Sequence, residues 1–196
     1  MFQHSLILIA ALTATVVSPL GLPGTDPEPV EMAGLDVAGQ NVSDRDFSGR
    51  ALRYSNLHGA NFHRTIFDKA DLRNSTFYGG SGNSSSFKNA KLDECIFYGA
   101  TVNLAKFDEA VMKKCSFYGA TASQASFRKA NLASANFYGA NVSLSNFAAA
   151  DLSNADMRGA NFSGTNLAGA NLCGAKTTGA DFSGANLSGA RCAPRR

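Results

Sequence analysis

Histidine is nearly missing from this chain of 196 residues, with three in all, and the five prolines are almost confined to one short stretch. No Cys-X-X-Cys, His-Glu-X-X-His, Gly-X-Ser-X-Gly or phosphate-loop pattern occurs, which removes the usual local signatures of zinc, hydrolase and nucleotide chemistry. After His4 the imidazoles are His58 and His63, both at outward positions, and they read as solvated surface rather than ligands. Long apolar runs are lacking too. The longest, residues 6–17, has 12 residues, too short to cross a bilayer as a helix. Nothing here nominates a catalytic residue, a metal site or a cofactor, and the expectation is a protein that is not an enzyme.

What the chain has instead is repetition. Stepping by five from Val37 to Cys192 visits 32 positions without an insertion or deletion, and 13 of the 14 Phe fall on them. Two residues before each large apolar residue the side chain is small, as at Ala60, Ala70, Ser75, Ala90, Cys95 and Ala100. The residue between favours Asn or Asp, as at Asn61, Asp71, Asn131 and Asn171. Most glycines stand two residues after the large one. A coarser period of 20 overlies this, seen in Phe77-Tyr78-Gly79-Gly80 and its near copies starting at Phe97, Phe117 and Phe137. A period of five suits neither a helix at 3.6 nor a strand at 2, and a repeat too short to bury its own core has to stack on copies of itself.

The consensus Ala-(Asn/Asp)-(Leu/Phe)-X-Gly resembles the pentapeptide repeat family over residues 35–192. The resemblance implies an all-β fold, a right-handed quadrilateral parallel β-helix with four pentapeptides per coil and about eight coils of 20 residues. Domain limits follow: residues 1–18 a signal peptide, 19–34 a Pro- and Gly-rich acidic linker, 35–192 the β-helix and 193–196 a tail. For residues 6–17 a second reading stands beside the signal core, an apolar cap folded over the first coil. The flank Met1-Phe2-Gln3-His4 carries no Lys or Arg, so N-terminal sequencing of the mature chain decides between them.

Four faces and a 20-residue recurrence turn the sequence into interior ladders. One is Leu57, Phe77, Phe97, Phe117, Phe137 and Met157; opposite it run Phe47, Phe67, Phe87, Phe107, Phe127 and Phe147, then Leu167 and Leu187. A third is mostly Leu, from Leu52 to Leu172. The fourth compensates, with Gly82, Val102, Ala122 and Val142 where both neighbours are Phe, and Phe162 and Phe182 where those neighbours shrink. Core volume per coil is thereby kept roughly constant, as close packing requires. Glycine fills seven consecutive turn positions from Gly159 to Gly189, which predicts tighter turns and a squarer cross-section in the C-terminal half.

Cys95 and Cys115 are ladder neighbours at the small inward position. Parallel in-register Cβ vectors bridge poorly, so buried thiols are preferred over a disulfide. Cys173 points outward and Cys192 sits in the last coil on an adjoining face. Asn and Asp are tied to the repeat, where hydrogen bonding to turn backbone is their expected work.

Residues 33–196 hold 18 basic and 12 acidic residues, a net of +6. Some proteins of the resembled family are described as DNA mimics that protect gyrase, and those need an acidic surface; this rod has the opposite sign. Direct nucleic-acid binding is also disfavoured, because Asp68-Lys69, Lys88, Asp108-Glu109 and Arg128-Lys129 alternate in sign from coil to coil, as do Arg73, Asp93-Glu94 and Lys113-Lys114. Cross-coil ion pairs are expected from both series.

The function expected is a non-enzymatic binding or structural module exported to a periplasm, a thylakoid-type lumen or the medium, a gyrase-protecting protein being the alternative. A protein or glycan partner is compatible with it, no membrane span is expected in the mature chain, and monomer is preferred over end-to-end dimer. The candidate binding site is Tyr78, Tyr98, Tyr118 and Tyr138, which follow the stacked Phe and point outward on one nearly uncharged face. His58 should continue the line below and Arg158 above. Such a row either shields the coil edges or recognises a partner.

Overall fold

The computed structural model describes residues 34–194. The signal and linker readings for residues 1–33, and Arg195 and Arg196 of the tail, lie outside the described residues. Within them every β-bridge is parallel and joins a residue to the one 20 positions on, from Asp36↔Asn56 to Asn171↔Arg191. The chain therefore winds as a four-sided β-helix in 20-residue coils, one pentapeptide per side.

Each pentapeptide repeats one local structure. In Ala60-Asn61-Phe62-His63-Arg64, the Asn61 N–H donates to Gln40 O of the preceding coil and the Phe62 N–H to Ser81 O of the following one. The Thr65 N–H then closes a turn onto Phe62 O at 3.2 Å. Arg64, third in that turn, takes φ +54°, the left-handed region that a type II turn demands there.

Glycine is not required for these turns, although from Gly159 to Gly189 φ is wider, 64–75°. Turn positions without glycine adopt the same conformation, with φ between 54° and 61° at residues as different as Asp44, Tyr54, Leu104 and Lys114. The reason lies in the corner. A Cβ at Gly59, Gly79 or Gly99 would meet nothing within 4 Å, so a side chain there projects into solvent. The residual strain, roughly 1–2 kcal/mol, is outweighed by the coil-to-coil hydrogen bonds on either side.

The interior consists of the expected ladders. Phe77, Phe97, Phe117 and Phe137 stack with ring centroids 4.4 to 5.0 Å apart and planes within 4° of parallel. Phe67, Phe87, Phe107, Phe127 and Phe147 form a second stack with centroids 4.6 to 4.9 Å apart, and Phe47 stacks on Phe67 below it. The two stacks meet edge to face across the rod, as in Phe97 against Phe107 at 5.7 Å and 87°. Positive ring edges thus point at negative ring faces from Phe67 to Phe147, an arrangement adding ~0.5–1.5 kcal/mol per pair beyond area burial.

The compensating ladder has a more specific logic than volume balance. Phe62 also belongs to it, fully buried, and its ring occupies the space next to two glycines of the coil above. A Cβ on Gly82 would lie 1.8 Å from Phe62 Cε2, and one on Gly80 would lie 2.8 Å from Cε1. Gly80 and Gly82 are glycine because Phe62 leans over them. The buried polar residues at the small position are all satisfied: Ser55 and Ser75 donate to Leu52 O, Thr65 to Val42 O, Ser85 to Gly82 O, Ser145 to Ala122 O and Thr165 to Phe162 O. At the C-terminal end the packing thins, with Phe182 and Leu187 only partly buried.

Candidate functional site

The repeat places a side chain outward one residue after each buried ring, and the positions following Phe77, Phe97, Phe117 and Phe137 are all Tyr. Tyr78, Tyr98, Tyr118 and Tyr138 stack with centroids 5.0, 4.9 and 5.4 Å apart and planes within 7° of parallel. Each remains 38–42% exposed. His58 packs edge-on against Tyr78 at 4.9 Å, and the Arg158 guanidinium lies over the Tyr138 ring at 5.4 Å. Because ring faces meet ring faces within the stack, the strip offers solvent a row of ring edges and phenol hydroxyls.

Its borders are as regular as its centre. On the same face the residues before the Phe are Thr76, Ile96, Ser116 and Asn136, so no charged side chain occurs across the four coils. Thr76 and Asn136 accept the backbone N–H of Tyr78 and Tyr138, at 3.4 and 2.9 Å. On the other border stand Gly79, Gly99, Gly119 and Gly139, all exposed. Between Tyr54 and Gly159 glycine takes the turn position at this corner alone; the other three corners carry residues such as Arg64, Lys69, Glu94, Leu104 and Lys129.

The charged faces do different work. Lys114 pairs with Glu94 at 3.2 Å and Lys129 with Glu109 at 3.4 Å, each across one coil step as expected. Arg64 likewise reaches Asp44 at 2.6 Å. Arg73 departs from expectation: it forms a bidentate pair with Asp71 of its own pentapeptide, through Nε at 2.8 Å and Nη2 at 2.5 Å. Those hydrogen bonds hold the Asp71 carboxyl below its ordinary value. Asp68 and Asp108 act on the backbone, accepting the N–H of Lys88 at 3.0 Å and of Arg128 at 3.1 Å, and each also accepts a serine hydroxyl, from Ser86 and Ser126. Elsewhere the Asn or Asp before the large residue accepts the N–H two residues on, as Asn141 does from Ser143 at 3.1 Å.

His63 is not simply solvated, as the sequence had suggested. Its Nδ1 accepts the Asn83 N–H at 3.0 Å while Nε2 lies 3.2 Å from Ser81 Oγ, so the ring acts as one more backbone cap. Among the described residues no group of three or more His, Cys, Asp and Glu could hold a metal ion, and no helix is long and apolar enough to cross a membrane.

Cys95 and Cys115 are buried free thiols, and the Cys95 Sγ–H donates to Leu72 O at 2.9 Å. Burial raises both thiols well above their ordinary value. Cys173 and Cys192 require a correction. They are not left on adjoining faces but joined in a disulfide, with Cα atoms 4.9 Å apart. Cys192 leaves the repeat conformation by taking φ +53°.

Two family models, both described as pentapeptide repeats, match the chain, one of nine copies over residues 62–111 and one of eight copies over 110–147, 125–164, 145–176 and 165–193. Among curated proteins no match was found. Of solved structures, QnrB1, a plasmid-mediated fluoroquinolone resistance protein, superposes with a TM-score of 0.65 at 23% identity, over 81% of this chain and 77% of that one. A pentapeptide repeat protein of the Arabidopsis thaliana thylakoid lumen matches at 25% identity with a TM-score of 0.36, over 81% of this chain and 70% of its own. HetL, involved in heterocyst differentiation in the cyanobacterium Nostoc sp. strain PCC 7120, matches at 19% identity with a TM-score of 0.37, over 83% and 85%. At 23% identity the likeness to QnrB1 speaks to fold alone. With its unbroken register of five, its coils of 20 and these matches, the chain belongs to the pentapeptide repeat family, whose fold is the right-handed quadrilateral β-helix.

Proposed function

We propose that this chain is an exported, non-enzymatic binding rod whose recognition surface is the Tyr78–Tyr98–Tyr118–Tyr138 strip. The observation that carries the reading is the composition of that face: four half-exposed tyrosines with no charged residue among them, on a rod whose other faces bear Lys, Arg, Asp and Glu. Solubility alone would favour charge there, whereas tyrosine gives large contact area at low entropic cost. Export is supported by the Cys173–Cys192 disulfide, since such bonds persist in oxidising compartments, and by the apolar run near the N-terminus. The gyrase-protecting alternative gains nothing from a likeness confined to fold, and the net positive charge of the repeat region opposes it.

Cell fractionation of the host, with N-terminal sequencing of the mature chain, tests export; recovery of an uncleaved chain from the cytoplasm refutes it. Replacing Tyr98 and Tyr118 together by Ser tests the surface. Loss of the host ligands at unchanged melting midpoint supports recognition, and a lowered midpoint with ligands retained makes the strip structural. The rod is taken as a monomer, and light scattering that returned twice the chain mass at every concentration would overturn that.

A further inference from the structure

Each pentapeptide leaves one backbone acceptor without a backbone donor. Four of the five N–H groups in a pentapeptide donate to backbone carbonyls, and side chains cap many of the fifth. Four of the five carbonyls accept. The carbonyl of the turn residue does not: among the described residues no N–H donates to Gly79, Gly99, Gly119 or Gly139 O. At three corners the residue that bears this carbonyl carries a side chain. At the tyrosine corner it carries none, and glycine is not there for packing, because a Cβ would meet no atom within 4 Å. Nor does the φ of 59–63° at these glycines require it, since Tyr54, Leu104 and Lys114 adopt the same conformation at other corners. Besides relieving the strain of a positive φ, glycine leaves bare backbone here: a line of acceptors without a backbone donor next to the tyrosine line, repeating with the tyrosine spacing of 4.9 to 5.4 Å.

Taking the strip as a recognition surface, as above, we infer that its occupant is a neutral, extended, β-linked polysaccharide lying along the rod axis, one sugar per coil. Three features select this chemistry. The absence of charge on the face matches an uncharged ligand. The carbonyl row needs donors and the phenol row takes either role, which suits sugar hydroxyls, donating to the glycine carbonyls and exchanging hydrogen bonds with the phenols. The pitch excludes the main competitor. An extended peptide presents N–H groups to one side every ~6.8 Å, twice the rise per residue, and falls out of step within two coils. A β-1,4-linked hexose chain advances by about one coil per sugar with successive sugars turned over, so each side repeats every two coils and stays in register across all four tyrosines.

The test uses the full chain and calorimetric titration with oligosaccharides of β-1,4-linked glucose and of β-1,4-linked N-acetylglucosamine, from dimer to hexamer, with the α-1,4-linked glucose hexamer as control. Affinity for at least one β-linked series should rise with length up to four sugars, and the α-linked hexamer should not bind. Gly99→Asn with Gly119→Asn leaves the tyrosines in place and keeps a residue type that tolerates positive φ. It should weaken hexamer binding about tenfold, the worth of one or two net hydrogen bonds, without moving the melting midpoint. Binding that is independent of length, or indifferent to this glycine pair, overturns the inference. If neither series binds while the Tyr98 and Tyr118 double variant still loses its host ligands, the polysaccharide is wrong and the recognition surface stands. If the double variant loses nothing, both fall.

Discussion

Gly82→Ala is the smallest change that tests the four-sided register. The new methyl would stand 1.8 Å from Phe62 Cε2, 2.2 Å from Cδ2 and 2.5 Å from Cζ, all far inside contact distance. The Phe62 ring has little room to yield, being fully buried and edge-on to Phe77 at 5.3 Å, Phe87 at 6.3 Å and Phe67 at 6.4 Å. Overpacking of this kind costs about 1–3 kcal/mol, against ~0.4–1 kcal/mol returned by a stiffer unfolded chain, a net loss on the order of 1–2 kcal/mol. The remedy is already present higher in the rod, where the same ladder reads Val102, Ala122, Val142. Phe62→Val combined with Gly82→Ala copies that arrangement, so the alanine should cost nothing in the Phe62→Val background. Urea melts followed by circular dichroism on the four proteins give the coupling. Equal cost of Gly82→Ala in both backgrounds would refute the placement of Phe62 over Gly82, and the ladder register with it.

Other consequences are as direct. Cys192→Ser opens a 19-residue covalent closure, for which chain entropy gives about 3 kcal/mol; hydrogen exchange should quicken first in the last coil, and uniform protection would contradict the placement. Cys95 and Cys115, with thiols raised by burial, should resist iodoacetamide at pH 8 in the folded chain and react only on unfolding, so rapid native labelling would count against their burial. The Asp71 carboxyl, held down chiefly by Arg73, contributes stability that is fully present above its unfolded value near 3.8 and lost as pH falls through its lower folded value. Denaturant midpoints of Asp71→Asn should therefore lie below wild type at pH 7 and converge with it toward pH 2, and a gap that persisted there would disprove the ion-pair account.

The parts of this structure that follow from register were legible in the sequence. The stacks through Phe77 and Phe87, the buried thiols and the tyrosine line between His58 and Arg158 all needed only a period of five and four sides. What escaped depends on side-chain placement within a coil, or on where the repeat ends. Phe62 reaches over Gly80 and Gly82 through its rotamer, which a pattern of large and small does not encode. His63 caps Asn83 because the ring happens to offer an acceptor where Asp68 or Asn103 offers a carboxylate or amide oxygen in other coils. The Cys173–Cys192 bond was hidden because strict register points the two residues in different directions, and register no longer holds at Cys192. Glycine does not create the turns, which also form with Asp44, Tyr54 and Leu104 at that position.

Placing the photo-crosslinking residue p-benzoylphenylalanine at Tyr98, and separately at Arg128 on the charged face, in the living host measures most directly where this rod is touched. The account predicts adducts from the Tyr98 position and none from Arg128. Adducts from Arg128 alone, or equally from both, would contradict it.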